Sequence, residues 1–281
     1  MEPPPGLEPG KPVTLLTGLP RSGTTLVCAL LNELHDTVAL VEPIEFEANG
    51  DHARAQEQIG KFVAQARVRV VETGTIATRH ISGVIPDNLV DPPGPGLRRF
   101  HAERGVIPLH KRVSSGFGLF IKHLGEFTAM SAALSAKYPV VAIIRNPLHL
   151  LAAWQTVDLP IRLGHLRSAE CFSPTLSRRL AKEASPLRRQ VMLLQWMLEI
   201  YREFPPARIL RYEDLAAGPD SCLSRLVGHA VACSRVLRAY DPYERYPGAD
   251  MAAFSRELKT ILPLISHFYP GFDAQLHPYL R

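Results

Sequence analysis

The chain has 281 residues, a formal net charge of +5, and a composition of 46% hydrophobic and 21% charged residues. That length suits one large α/β domain with a substantial core, and the composition is ordinary for a globular protein. The positive balance favours anionic ligands, but no Lys/Arg stripe is interleaved with aromatics at 7% aromatic content, so nucleic acid is not an expected partner.

Residues 1–12 are Pro-rich and contain no apolar h-region. They read as a flexible lead rather than a secretory signal. No run of 18 apolar residues suggests a membrane span, and a soluble, cytoplasmic protein is expected. The apolar run Val13-Thr14-Leu15-Leu16-Thr17 reads as a buried strand. It turns through Gly18-Leu19-Pro20-Arg21-Ser22-Gly23-Thr24-Thr25 into a helix, with Leu26, Ala29, Leu30 and Leu34 spaced to bury one face. A second short strand is expected at 38–41 and a helix at 56–71.

From 85 to 105 the Pro- and Gly-rich chain reads as an exposed loop. A strand at 118–123 and a helix at 127–138 follow. The strand at 140–144 leads to a helix at 147–157, and 158–185 reads as irregular and basic. A helix at 186–204, a strand at 208–212, one or two short helices and a C-terminal helix at 252–267 complete the pattern. Strands alternating with helices predict a parallel sheet flanked by helices, with ligands bound beyond the carboxyl ends of the strands.

The turn after the first strand is the most informative segment. Strand, glycine-bearing loop and helix N-terminus together form an anion cradle, because backbone N–H groups and the helix dipole face the loop. Gly18 and Gly23 allow close backbone approach to an oxyanion, and Ser22, Thr24 and Thr25 add hydroxyls. A nucleoside-triphosphatase loop, GxxxxGK(S/T), carries lysine after its second glycine. Here Thr24 stands in that place, and the cation, Arg21, precedes Gly23 by two residues.

Pro20-Arg21-Ser22-Gly23-Thr24-Thr25 resembles the 5′-phosphosulfate loop of sulfotransferases that use 3′-phosphoadenosine 5′-phosphosulfate (PAPS). Arg145-Asn146-Pro147, after its strand, resembles the family's 3′-phosphate motif. Arg211-Tyr212-Glu213-Asp214-Leu215 resembles its RYEDL segment. The resemblance covers residues 13–46 and 118–230. It implies a single sulfotransferase domain over 13–281 with a fold like that of P-loop nucleotide kinases, and acceptor-side segments that vary at 47–117 and 158–185.

It further implies PAPS as co-substrate, no metal, and a small-molecule or carbohydrate acceptor. Arg21 and Lys122 are the candidate cations for the leaving phosphate, and Arg145 the candidate for the 3′-phosphate. Many cytosolic members hold that phosphate also with a serine where this chain has Ala153; Thr156, one turn on, is the candidate substitute. For the base there are two candidates. Glu45 stands in Glu42-Pro43-Ile44-Glu45-Phe46, which resembles an EPxEF signature of bacterial members. His123 stands in Phe120-Ile121-Lys122-His123-Leu124, which resembles the cytosolic FIKTHLP segment, one residue short. The alternatives are an ATP-dependent P-loop kinase and a non-catalytic nucleotide-binding scaffold of the same fold. The four cysteines form no CxxC pair and the eleven histidines no HxH group, so neither a disulfide framework nor a metal site is expected.

Overall fold

The computed structural model describes residues 13–47, 50–237, 246 and 248–280; the lead read at 1–12 lies outside them. Its centre is a five-stranded, all-parallel sheet of order β2-β5-β1-β6-β7. The strands are β1 (Val13–Gly18), β2 (Thr37–Val41), β5 (Gly118–Lys122), β6 (Val140–Ile144) and β7 (Ile209–Arg211). A separate antiparallel hairpin pairs β3 (Thr75–His80) with β4 (Glu103–Pro108).

Successive residues of a strand point to opposite faces, and both faces of this sheet are covered. Leu15, Leu40, Ile121 and Val140 pack on one side, beneath α2 (His52–Thr73) and α3 (Gly125–Ala129). Ile144 extends that side under α5 (Pro147–Gln155) and α8 (Pro186–Arg202). Leu16, Val41, Phe120, Ile143 and Leu210 pack on the other, against α1 (Thr24–Glu33) and α9 (Pro219–Val227). Two-sided burial is why these strands read as unbroken apolar runs rather than alternating ones. β1 lies between β5 and β6, and its connection runs one way while that of β6 runs the other. This is the switch point at which open parallel sheets bind ligands.

Three expectations are corrected. The segment 158–185 is not irregular: it holds a 3₁₀ turn (Pro160–Leu163), α6 (Arg167–Phe172) and α7 (Pro174–Lys182). Pro160 and Pro174 open these turns, where a missing N–H costs nothing, and Ser173 caps α7 by accepting from the Leu176 N–H. The helix expected at 127–138 breaks at Met130 into α3 and α4 (Ser131–Leu134). The C-terminal helix is likewise divided, into Met251–Leu258 and Leu262–Phe268, the second opened by Pro263.

The loop expected to be exposed at 85–105 is partly buried and tied down. Arg98 N–H donates to Thr156 O, Asp158 N–H donates to Arg98 O, and Val90 is buried. The β3–β4 hairpin was not expected. It docks on β2 through Thr78, whose hydroxyl accepts from the Val41 N–H at 2.9 Å.

Candidate active site

The carboxyl ends of the sheet strands open into one cavity of about 850 Å³, within the range of ordinary ligand sites. Its floor is the first residue, or last residue, of each strand end in turn: Glu42 after β2, Lys122 and His123 at the end of β5, Arg145 after β6 and Tyr212 after β7. Pro20, Arg21, Gly23, Thr24 and Thr25 line the same cavity from the turn between β1 and α1.

That turn is built tightly. Arg21 takes a left-handed backbone with φ 68°, a conformation that costs a non-glycine residue about 1 kcal/mol or more and recurs at binding sites. A Cβ on Gly18 would lie 2.2 Å from Ile143 O, and one on Gly23 would lie 2.7 Å from the Tyr212 ring. Both glycines therefore answer to the protein's own packing. Ser22 is fully buried, and its hydroxyl donates to Ile143 O at 2.8 Å, so it braces the loop from behind and does not line the cavity. Trp154 Nε1 donates to Pro20 O at 2.7 Å from the same side. Gly23 precedes α1 without a side-chain cap, and the first turn of α1 lines the cavity.

The cations are positioned individually. Arg21 Nη1 donates to Asn88 Oδ1 at 2.8 Å. Arg145 stacks on the Tyr212 ring at 4.9 Å and reaches Arg21 O through Nη1 at 3.3 Å, while its buried Nε has no hydrogen-bond partner. Glu213 holds this corner from below: it accepts from the Asn146 N–H at 2.9 Å and from the Tyr269 hydroxyl at 3.0 Å. Tyr212 is also a wall of the cavity.

Lys122 is 1% exposed, and its Nζ lies 2.6 Å from Glu42 Oε1; Arg79 Nε lies 2.9 Å from Glu42 Oε2. Burial alone would raise the Glu42 carboxyl. Lys122 above all, together with Arg79, outweighs it and pulls the group down to about 2. Arg79 comes from the unexpected hairpin, and nothing in its sequence neighbourhood signals it.

His123 is buried between Phe46 and Phe127, each ring 5.0 Å from its own. Its Nε2 accepts from the Ile44 N–H at 3.3 Å. Glu45 does not line the cavity; its side chain is 85% exposed, near Arg104. Thr156 turns its hydroxyl to Ala153 O at 2.9 Å and does not line the cavity either. Of the basic stretch 98–112, Phe100 and Arg104 reach the cavity, whereas Lys111 donates to Asn32, Leu34 and Thr37 carbonyls at the end of α1. Among the described residues no group of three or more His, Cys, Asp and Glu could hold a metal ion, and no helix is long and apolar enough to cross a membrane.

No family model matches this chain, and no curated protein sequence matches it. Solved structures similar to it include the sulfotransferase domain from the Synechococcus PCC 7002 olefin synthase, at 15% identity and a TM-score of 0.36, covering 81% of this chain and 77% of that one. Another is the sulfotransferase domain from the curacin biosynthetic pathway, at 16% identity and a TM-score of 0.36, covering 84% and 80%.

Proposed function

We propose that this chain transfers a sulfuryl group from PAPS to a hydroxyl or amine of a small-molecule or carbohydrate acceptor. The observation that carries the reading is the pairing of two anion grips in one cavity. The loop at Arg21–Thr25 opens on the first turn of α1, and Arg145, with a buried Nε lacking a partner, stands beside it. A donor with a 5′-phosphosulfate and a separate 3′-phosphate supplies two anions to such a site.

The residues fit that donor. Thr24, Thr25 and the α1 N-terminus would take the 5′ group, and Arg145 the 3′-phosphate, with the guanidinium fork held flat by Tyr212. Arg21 and Lys122 would stabilise charge arriving on the leaving phosphate. Lys122 needs no side-chain reordering to do so, because Glu42 already fixes its ammonium. Of the two base candidates, His123 lines the cavity and Glu45 does not. The position after Gly23 is Thr24, not the lysine that a triphosphate-binding loop uses, which weighs against an ATP-dependent phosphotransferase.

Calorimetric titration with 3′-phosphoadenosine 5′-phosphate, run beside ATP with magnesium, tests the reading. Tight binding of the bisphosphate with much weaker ATP supports it. ATP binding alone would return the chain to the kinases, and binding of neither would favour a scaffold.

A further inference from the structure

The His123 ring is not poised to take a proton. Its Nε2 already accepts from the Ile44 N–H, so the neutral imidazole carries its hydrogen on Nδ1. That Nδ1 is buried without a hydrogen-bond partner, and the carboxylate nearest it is Glu126, with Oε1 at 3.7 Å. Glu126 lines the cavity in the first turn of α3 and, among the described residues, accepts no side-chain hydrogen bond. The other cavity glutamate, Glu42, is engaged by Lys122 and Arg79. With its carboxyl held down to about 2, it has little basicity.

The placement of Glu126 is constrained from outside as well. Gly125 packs so closely on α6 that a Cβ would lie 2.3 Å from Ala169 N. The helix start therefore cannot retreat from the cavity wall, which α6 continues through Arg167 and Ser168.

Resting on the sulfuryl-transfer reading, we infer that Glu126 is the catalytic base and that His123 is a positioning residue which presents Nδ1–H to it. In the step, the acceptor oxygen forms a bond to sulfur as the sulfur–oxygen bond to the 5′-phosphate breaks. The electron pair of that bond leaves with the adenosine bisphosphate, and the acceptor proton passes to the Glu126 carboxylate. Closing of the 3.7 Å approach to a hydrogen bond when donor and acceptor are bound would let the Nδ1–H of His123 hold the carboxylate toward the acceptor. The sequence resemblance did not single out Glu126, because neither glutamate nor spacing at that place belongs to the motif that flags His123.

Two measurements on the full chain test this. The first is ¹⁵N-histidine NMR of wild type with 3′-phosphoadenosine 5′-phosphate bound, assigned by His123→Asn. Hydrogen on Nδ1 of neutral His123 is expected; hydrogen on Nε2 would overturn the assignment. The second is release of the bisphosphate from PAPS with water as acceptor. Glu126→Gln should lower kcat by about 10²–10⁴-fold, with donor KM and bisphosphate affinity within twofold of wild type, and Glu126→Asp should recover part of the rate. A Glu126→Gln variant as fast as wild type would sink the inference while leaving the sulfuryl-transfer reading intact. A wild-type chain that binds no bisphosphate would instead sink that reading. If Glu126 served only the start of α3, its variants would change stability and leave kcat alone.

Discussion

Lys122 Nζ meets Glu42 Oε1 at 2.6 Å, at the point where β2 and β5 both end. The two strands pair Val41 with Lys122 in register, and the Glu42 N–H donates to Lys122 O at 2.8 Å. The ion pair is thus a continuation of the sheet ladder in side-chain form. Glu42 reaches it with a left-handed backbone, φ 44°, stabilised by Arg104 Nε, which donates to its carbonyl at 3.1 Å.

Removing the carboxylate should expose how much the pair contributes. Glu42→Gln leaves Lys122 buried without its counter-charge, and a loss of about 3 kcal/mol in unfolding free energy is expected. The pH dependence follows from the sign of the shift. The folded value, about 2, lies below the 4.5 of a free glutamate. The contribution is therefore complete above pH 4.5 and is lost as pH falls through 2. Urea titrations between pH 5 and pH 2 should show a steeper loss in wild type than in the variant; parallel losses would mean the pair is not coupled to folding.

The two anion grips should fail differently. Arg145→Lys keeps the charge but forfeits the flat stack on Tyr212, and calorimetry should find bisphosphate affinity down about tenfold. Arg145→Ala should lose about 100-fold, in line with about 1.5–3 kcal/mol for a charged hydrogen bond. Arg21→Ala should weaken both affinity and turnover, since one charge serves ground and transition state. Undiminished turnover in that variant would contradict the loop's assignment.

Cys28 sits wholly inside the packed face of α1, and burial pushes its thiol up to about 12, despite partial relief from Lys122. At pH 8 it should resist iodoacetamide in the folded chain, whereas the part-exposed Cys171 and Cys233 react. Peptide mass spectrometry after brief labelling decides it. Rapid labelling of Cys28 would show that α1 opens readily, and with it the anion loop.

Lys111 closes the other end of the same helix. Its ammonium serves the carbonyls of Asn32, Leu34 and Thr37. Lys111→Met strips those oxygens of their donor, and a loss of about 2 kcal/mol is expected, read by thermal or urea unfolding. A variant as stable as wild type would mean water replaces the ammonium without cost.

The parts of this architecture that were legible in sequence are those fixed locally. Five strands buried on both faces leave apolar runs, and the turn from Gly18 to Thr25 carries its own punctuation. What escaped depends on distant pairing. The β3–β4 hairpin joins residues separated by more than twenty positions of Pro- and Gly-rich chain, so neither strand signals its partner, and Arg79 came to the cavity unseen. In the segment read as irregular at 158–185, Pro160 and Pro174 start helical turns. Within the site, residue type alone could not separate a hydroxyl facing a ligand from one facing the core. Ser22 and Thr156 both spend theirs on backbone carbonyls, while Thr24 and Thr25 look into the cavity. Glu45 was singled out by its motif alone, and its side chain lies in solvent outside the cavity.

The bond from Trp154 to Pro20 joins the helix that follows Arg145 to the loop that carries Arg21. With Ser22 fastened to Ile143 and Arg145 to the Arg21 carbonyl, the two grips share one rigid frame. Their separation was settled when the chain folded, so little ordering entropy remains to be lost on binding. On the proposed reading such a frame would work as a fixed gauge: it would reward a molecule whose two anions are spaced to match and offer a single phosphate only one end of the fit. Adenosine 5′-monophosphate and adenosine 3′-monophosphate should therefore each bind far more weakly than the bisphosphate, and the two halves should sum to less than the whole.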